Sequence, residues 1–160
     1  MSSKRSITRR GAVAFLGLSA LGAAMPAAAA GPAVMRVHKD PSCGCCSGWV
    51  DHVRKAGFVV EVTETGSLNG LKRRLTIPEA LWSCHTAEVD GYVLEGHVPA
   101  AAIDRLLAER PRAKGLAVPG MPIGSPGMEV EGMDAEAFDV VLFGPSGQTV
   151  FGRFKGGTAV

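Results

Sequence analysis

Three of the four cysteines fall within four residues, Cys43-Gly44-Cys45-Cys46, and this cluster restricts the fold more than any other feature of the chain. Cys43 and Cys46 have the C-x-x-C spacing of a reversible disulfide, whereas the adjacent Cys45 and Cys46 are poorly placed to bridge one another. At least one thiol of the cluster therefore has another use. The flanking sequence says where the cluster sits. Val34 to Lys39 (VMRVHK) is a short apolar run with partial alternation, expected to form a strand that ends at Asp40, Pro41 and Ser42. From Cys46 onward the pattern turns helical: Cys46, Val50 and Val53 form one stripe and Cys45, Trp49 and His52 the next, until Gly57 stops the helix. Thiols in a loop that opens a helix meet unsatisfied backbone N–H groups and the positive end of the helix dipole, which favour thiolate and make them good ligands and nucleophiles.

The rest of the chain extends this beginning into an α/β pattern. Phe58 to Thr63 is a β-branched run read as a second strand, and Ser67 to Leu75 a basic amphipathic helix with Leu68, Leu71 and Leu75 inward, closed before Pro78. Glu79 to Cys84 and Tyr92 to Glu95 are expected to pair as a hairpin across Asp90 and Gly91. Pro99 to Arg110 is the clearest helix, with Ile103, Leu106 and Leu107 on one face. Strand, C-x-x-C, helix, strand, helix, proline, strand, strand, helix is thioredoxin topology, with a central mixed sheet flanked by helices. That topology nominates Ile77–Pro78 as a cis bond facing the cysteine loop, and a trans bond there, or more than about 10 Å between Pro78 and Cys46, would undo the thioredoxin assignment. Residues 111–134 are rich in Gly, Pro and Met and carry no regular pattern, so they are read as a functional or disordered loop. Phe138 to Phe143 and Thr149 to Phe154 predict a C-terminal β-hairpin, and the residues after Lys155 a frayed tail.

Charge places the protein in a compartment. The chain has 17 Lys and Arg against 15 Asp and Glu, but Lys4, Arg5, Arg9 and Arg10 precede residue 11; without residues 1–30 the balance is 13 to 15. A net charge near −2 removes the electrostatic case for a nucleic-acid partner. Residues 1–30 read as a signal peptide: a basic start, an apolar stretch from Gly11 to Met25, and Ala27 to Ala30 as a cleavage site, with Ala28 and Ala30 at −3 and −1 and Gly31 as the first mature residue. The apolar run is too short to span a bilayer, so no membrane insertion is expected after cleavage. Thr8, Arg9 and Arg10 followed by Phe15 and Leu16 resemble a twin-arginine leader. Residues 31–160 are thus expected to be a single domain working in the periplasm, where cysteines form disulfides, bind metals or do redox chemistry.

Four further groups bear on the site. Ser83-Cys84-His85-Thr86 adds a thiol and an imidazole just after Pro78, and the topology brings them towards the CxCC loop. His97 stands where a strand meets a helix, suited to capping or ligation, while His38 and His52 read as surface or packing residues. Met121 and Met128, in PGMPIGSPGM, cannot form a helical core stripe; as loop thioethers near thiolates and imidazole they favour Cu(I) over harder metals, and Met133 less so. Zinc would accept Cys and His but gives no reason for the Met loop.

With CGCC, SCHTA, VDGYVLEGHVP and GLAVPGMPIGSPGME in this order, residues 34–154 resemble the CopG-type periplasmic copper-resistance proteins. The resemblance implies a thioredoxin-like fold, copper as the bound metal and a redox role in copper handling. It implies Cys43, Cys45 and Cys46 as copper thiolates, His85, His97, Met121 and Met128 as further ligands, and leaves Cys84 near the metal without a defined role. Copper ions, and copper exporters or chaperones of the periplasm, are the expected partners. Three functions follow in order of support: a protein that binds Cu(I) at CxCC and cycles it by redox; a metal-independent thiol-disulfide oxidoreductase using Cys43 and Cys46 catalytically; and a disulfide-stapled binding module.

Overall fold

The structure is a computed structural model and describes residues 33–160, so the expected leader lies outside the described residues. The chain runs β1 (Val34–Lys39), α1 (Gly44–Lys55), β2 (Val59–Glu64), α2 (Leu68–Arg74), a 3-10 turn (Glu79–Leu81), β3 (His85–Val89), β4 (Tyr92–Glu95), α3 (Ala100–Glu109), β5 (Gly115–Ala117), β6 (Ala137–Gly144), β7 (Gly147–Lys155) and β8 (Thr158–Ala159). All eight strands join one mixed sheet in the order β2-β1-β3-β4-β5-β6-β7-β8. The β1/β2 and β4/β5 pairs are parallel, each bridged by a helix, and the remaining pairs are antiparallel.

Both faces of the sheet centre are covered. Trp49 and Val53 of α1 and Ile103 and Leu106 of α3 pack with Met35, Val37 and Leu94 in the main core, while Ile77, Leu81 and Phe143 cover Val93 and Ala117 in a smaller one. The neighbours Val93 and Leu94 enter different clusters because successive strand residues point to opposite faces. β4 is therefore buried along its whole length.

Several expectations are corrected. The Ile77–Pro78 bond is trans, as no cis peptide occurs among the described residues. Pro78 caps the 3-10 turn, the Ile77 carbonyl accepts a hydrogen bond from Trp82 Nε1 at 2.9 Å, and Pro78 lines a surface cleft with Thr76, Lys114 and Phe143. A sharp turn thus separates it from β3, which begins at His85 rather than at Glu79. By the cis-proline criterion the thioredoxin reading fails, and the residue just before β3 is Cys84.

Residues 111–134 are not structureless. β5 lies inside the sheet between β4 and β6, and the loop beyond it closes on itself through Ser125 N–H to Pro122 O (3.0 Å), Met128 N–H to Ser125 O (2.7 Å) and Gly124 N–H to Met128 O (2.8 Å). The tail is not frayed either, since β8 pairs with β7. On α2 the face is also different: Leu71 is buried as expected, but so is Lys72, whereas Leu68 and Leu75 are half-buried.

The end of α2 yields a stability prediction. Ile77 N–H bonds to Lys72 O and Thr76 N–H to Arg73 O, both at 3.0 Å, which is a Schellman ending with Thr76 at the left-handed position, φ 56°. A β-branched residue is strained there. Thr76→Gly is expected to stabilise the protein by about 1 kcal/mol, read as a raised Tm, because relief of backbone strain outweighs the entropy cost of glycine.

Candidate metal centre

The cysteine loop is built by the turn that leads into α1. The Asp40 carboxylate accepts hydrogen bonds from the Ser42 hydroxyl (2.5 Å) and N–H (2.8 Å), which in that order hold its pKa below the usual value, and the Asp40 carbonyl accepts from Cys43 N–H at 3.1 Å. Cys43 is extended and occupies the N-cap, so Gly44, Cys45 and Cys46 form the first turn of the helix. Cys43 and Cys46, with Cα atoms 5.4 Å apart, are joined by a disulfide; Cys45 and Cys84 are free. Cys45 Sγ lies 3.4 Å from Cys43 Sγ and 3.9 Å from Cys84 Sγ, and Cys46 Sγ is 3.6 Å from the Cys84 carbonyl.

Cys84 faces this loop from one side and two imidazoles from the other. Its Sγ is 3.3 Å from His85 Nδ1 and 3.1 Å from His97 Nε2. The register of β3 on β4 brings the two histidines together: Thr86 is opposite Glu95, and Gly96 N–H bonds to His85 O at 3.1 Å. Gly96, at φ +73°, permits the close approach, since a Cβ there would stand 2.6 Å from Ser83 Oγ and 2.9 Å from Val118 O. His85 and His97 are fully buried; His85 packs against Trp49 with ring centroids 4.4 Å apart and against the edge of His97 at 5.1 Å.

Hydrogen bonding decides the His97 tautomer. Nδ1 lies 2.8 Å from the Pro126 carbonyl, which can only accept, so Nδ1 carries the proton and Nε2 presents its lone pair to Cys84 Sγ. Burial pushes His97 below its ordinary pKa, and burial followed by the influence of His97 and Lys72 pushes His85 well below it, so both rings are neutral at neutral pH. Burial, reinforced by Cys45, pushes the Cys84 thiol up to about 11. It is a protonated thiol within 3.3 Å of both His85 Nδ1 and His97 Nε2. His85 Nε2 is buried and meets no hydrogen-bonding partner among the described residues.

Two groups of potential ligand atoms, each within 4.8 Å of one another, follow: Cys43, Cys45, Cys46 and Cys84; and Cys84, His85 and His97. Cys84 belongs to both. Neither group contains a carboxylate, so the donor set suits soft or borderline metals rather than calcium or magnesium. In the bridged state Cys43 and Cys46 have no thiolate to offer. Reduction of that disulfide by two electrons and two protons frees Cys43 and Cys46, so that all four cysteines are then thiols.

The Met loop reaches the centre through its backbone. Pro126 O binds His97, Gly120 O accepts from Ser83 Oγ at 3.2 Å, and Gly127 sits against Cys45 O and Trp49 N. Met128 follows Gly127 and is half-buried; Met121 and Met133 are each 53% exposed. His52 Nε2 accepts the Ala100 N–H at 3.0 Å and caps α3, and His38 lies 3.9 Å from Glu88, so both stand apart from the sulfurs. The Pro126 carbonyl was not legible in the sequence, because a backbone acceptor carries no residue-type signal. The sequence marks Trp49 only as part of a helical stripe.

A family model described as "Protein of unknown function, DUF411" matches residues 81–128, the stretch that carries Cys84, His85, His97, Met121 and Met128. Two solved structures titled "Copper resistance protein copG", Form 1 and Form 2, are 43% identical to this chain with TM-scores of 0.72. Form 1 covers 78% of this chain and 99% of its own, Form 2 77% and 98%. No curated protein sequence matches the chain. Among the described residues no helix is long and apolar enough to cross a membrane.

Proposed function

The chain belongs to the family of the CopG copper resistance proteins, and from that premise we propose that it is an exported, periplasmic protein that captures copper as Cu(I) and cycles it by redox. One observation carries the reading: Cys84 Sγ is shared between the sulfurs of the CxCC loop and the two neutral imidazoles, with no carboxylate in either group. In this reading Cys43, Cys45, Cys46 and Cys84 supply thiolates, His85 and His97 supply imidazole, and Met121 and Met128 supply thioether from the docked loop. The strand order β2-β1-β3-β4 with α1 and α3 supports a thioredoxin-like core, to which β5 to β8 add an extension. Residues 1–30 act as the signal peptide and residues 31–160 as the single copper-binding domain. Copper ions are the cargo, and periplasmic exporters or chaperones the partners that receive it.

The redox step uses the pair that the structure holds bridged. Two Cu(II) ions take one electron each from the Cys43 and Cys46 thiols; the S–S bond forms, two protons leave and two Cu(I) ions result. A dithiol reductant returns the pair to thiols. The protein's own contribution is placement: the helix start presents the pair, and Cys84 with His97 stands beside it to hold one of the two product ions.

A thiol and copper titration tests this. Protein treated with a thiol reductant is expected to show four thiols and to retain Cu(I) against a competing chelator; adding Cu(II) in place of Cu(I) is expected to consume two thiols for two copper ions. The Cys43–Cys46 bridge also favours the second reading, a metal-independent thiol-disulfide oxidoreductase. Four thiols with no retained copper, together with reduction of a protein disulfide, would replace the first reading by the second.

A further inference from the structure

Behind the metal centre, on the α2 side of the sheet, lies a buried ion pair that ligation does not use. The Lys72 side chain is 2% exposed and that of Glu95 0%. Lys72 Nζ donates to Glu95 Oε1 and to Thr86 Oγ1 (2.9 Å), Thr86 Oγ1 donates to Glu95 Oε2 (2.7 Å), and the backbone N–H of Ser83 donates to Glu95 Oε1 (2.6 Å). Glu95 therefore accepts from three donors in three places: α2, β3 and the segment just before β3.

Two of those donors bracket the Cys84-His85 pair. Ser83 precedes Cys84 and is tied to Glu95 through its N–H; Thr86 follows His85 and is tied to Glu95 through its hydroxyl. Alternation along β3 puts Thr86 on the α2 face and His85 on the face that meets Trp49. An apolar pair could fill the same space, and replacing buried ion pairs that way is often neutral or stabilising. It would leave the Ser83 N–H without an acceptor, and the turn into β3 would keep only the Ser83 hydroxyl bond to Gly120 O on that residue.

We propose that Glu95, clamped by Lys72 and Thr86, is a positioning residue of the metal centre: it holds Ser83 to Thr86 so that Cys84 Sγ stands between the imidazoles and the CxCC sulfurs before metal arrives. This rests on the copper reading for its consequence, though not for its geometry. Pre-placement matters because a ligand already in position loses little conformational entropy on binding, and outer-shell partners of this kind typically set affinity by 10–100-fold.

The test separates charge from the hydrogen bond. Lys72→Met with Glu95→Gln removes both charges and keeps an acceptor of the same shape; Lys72→Met with Glu95→Leu removes the acceptor as well. Cys84 alkylation in the metal-free protein, mapped by mass spectrometry, and Cu(I) retention against a chelator are read alongside Tm. The Gln pair is expected to protect Cys84 as the parent does; the Leu pair, at similar Tm, is expected to alkylate about tenfold faster and to hold Cu(I) about tenfold more weakly. Equal protection in the two pairs overturns the proposal.

If the Leu pair does not fold, Ser83→Pro removes the N–H donor to Glu95 together with the hydroxyl that bonds Gly120 O, a loss that Ser83→Ala shares, and Trp82 at φ −62°, ψ 138° accepts a following proline. Faster Cys84 alkylation in Ser83→Pro than in Ser83→Ala, which keeps the N–H, supports the proposal; equal rates overturn it. Failure of the parent itself to retain Cu(I) would refute the copper reading while the alkylation arm still decides the role of Glu95.

Discussion

Cys84→Ser is expected to weaken Cu(I) retention by the reduced protein by two orders of magnitude or more, exceeding the roughly 10–100-fold typical of losing an outer-shell partner. Cys84 is the only ligand candidate common to the sulfur group and the sulfur–imidazole group among the described residues, so its loss divides the centre into two incomplete sets. The hydroxyl is nearly isosteric but hard, and it supplies no thiolate to a soft ion. Little stability should be lost, because Cys84 is half-buried and its backbone neighbours keep their bonds to Glu95 and Gly96. Cys43→Ser and Cys46→Ser should also fall well below Met128→Leu, since a neutral thioether contributes less than a charged thiolate. Competition with a Cu(I) chelator measures all four variants. Parent-like copper retention by Cys84→Ser would confine the metal to the CxCC loop and leave the imidazoles without a share in it.

Gly127→Ala should undock the Met loop. Gly127 is at φ +85°, and a Cβ there would stand 2.5 Å from both Cys45 O and Trp49 N, which are backbone atoms of α1 and cannot swing aside. Left-handed strain and overpacking together amount to about 2–4 kcal/mol. The loop can relieve them only by lifting from the helix. Lifting breaks the Pro126 O bond to His97 Nδ1, so the ring no longer has its lone pair fixed towards Cys84, and Cu(I) affinity should fall by about tenfold or more. Gly132→Ala is the control: its φ is +76°, but a Cβ there meets no atom within 4 Å. It carries the backbone strain without the collision. Matching Tm and copper affinity in the two variants would sink the idea that loop docking supports the centre.

The sequence reading and the structure part at identifiable places. The expected strand at Val34 to Lys39, the helix after the cysteines and the C-terminal hairpin rest on local periodicity, and the structure has elements there within a residue or two. Pro78 misled because proline before a strand suggests a cis turn, whereas here a 3-10 turn intervenes. β5 is not legible in the sequence because Gly115, Leu116 and Ala117 are too few to show a period. β8 is illegible for the same reason, being only Thr158 and Ala159. Lys72 lies off the Leu68, Leu71 and Leu75 stripe that the local pattern of α2 shows, and its burial is tolerable because Glu95 and Thr86, distant in the chain, accept its protons.

What residue types and local spacing determine by themselves is chemical character. Sulfur, imidazole and thioether in short motifs specify soft-donor chemistry, and short-range periodicity specifies the elements that carry it. What only the tertiary structure decides is which donors meet: that Cys84 bridges two groups, that the Pro126 carbonyl orients His97, and that a buried Lys72–Glu95 pair stands behind them. Those facts depend on strand register, on the packing of α2 and on backbone atoms. Register is fixed by contacts between residues far apart in the chain, and a carbonyl is the same group in every residue, so neither leaves a mark in the local sequence.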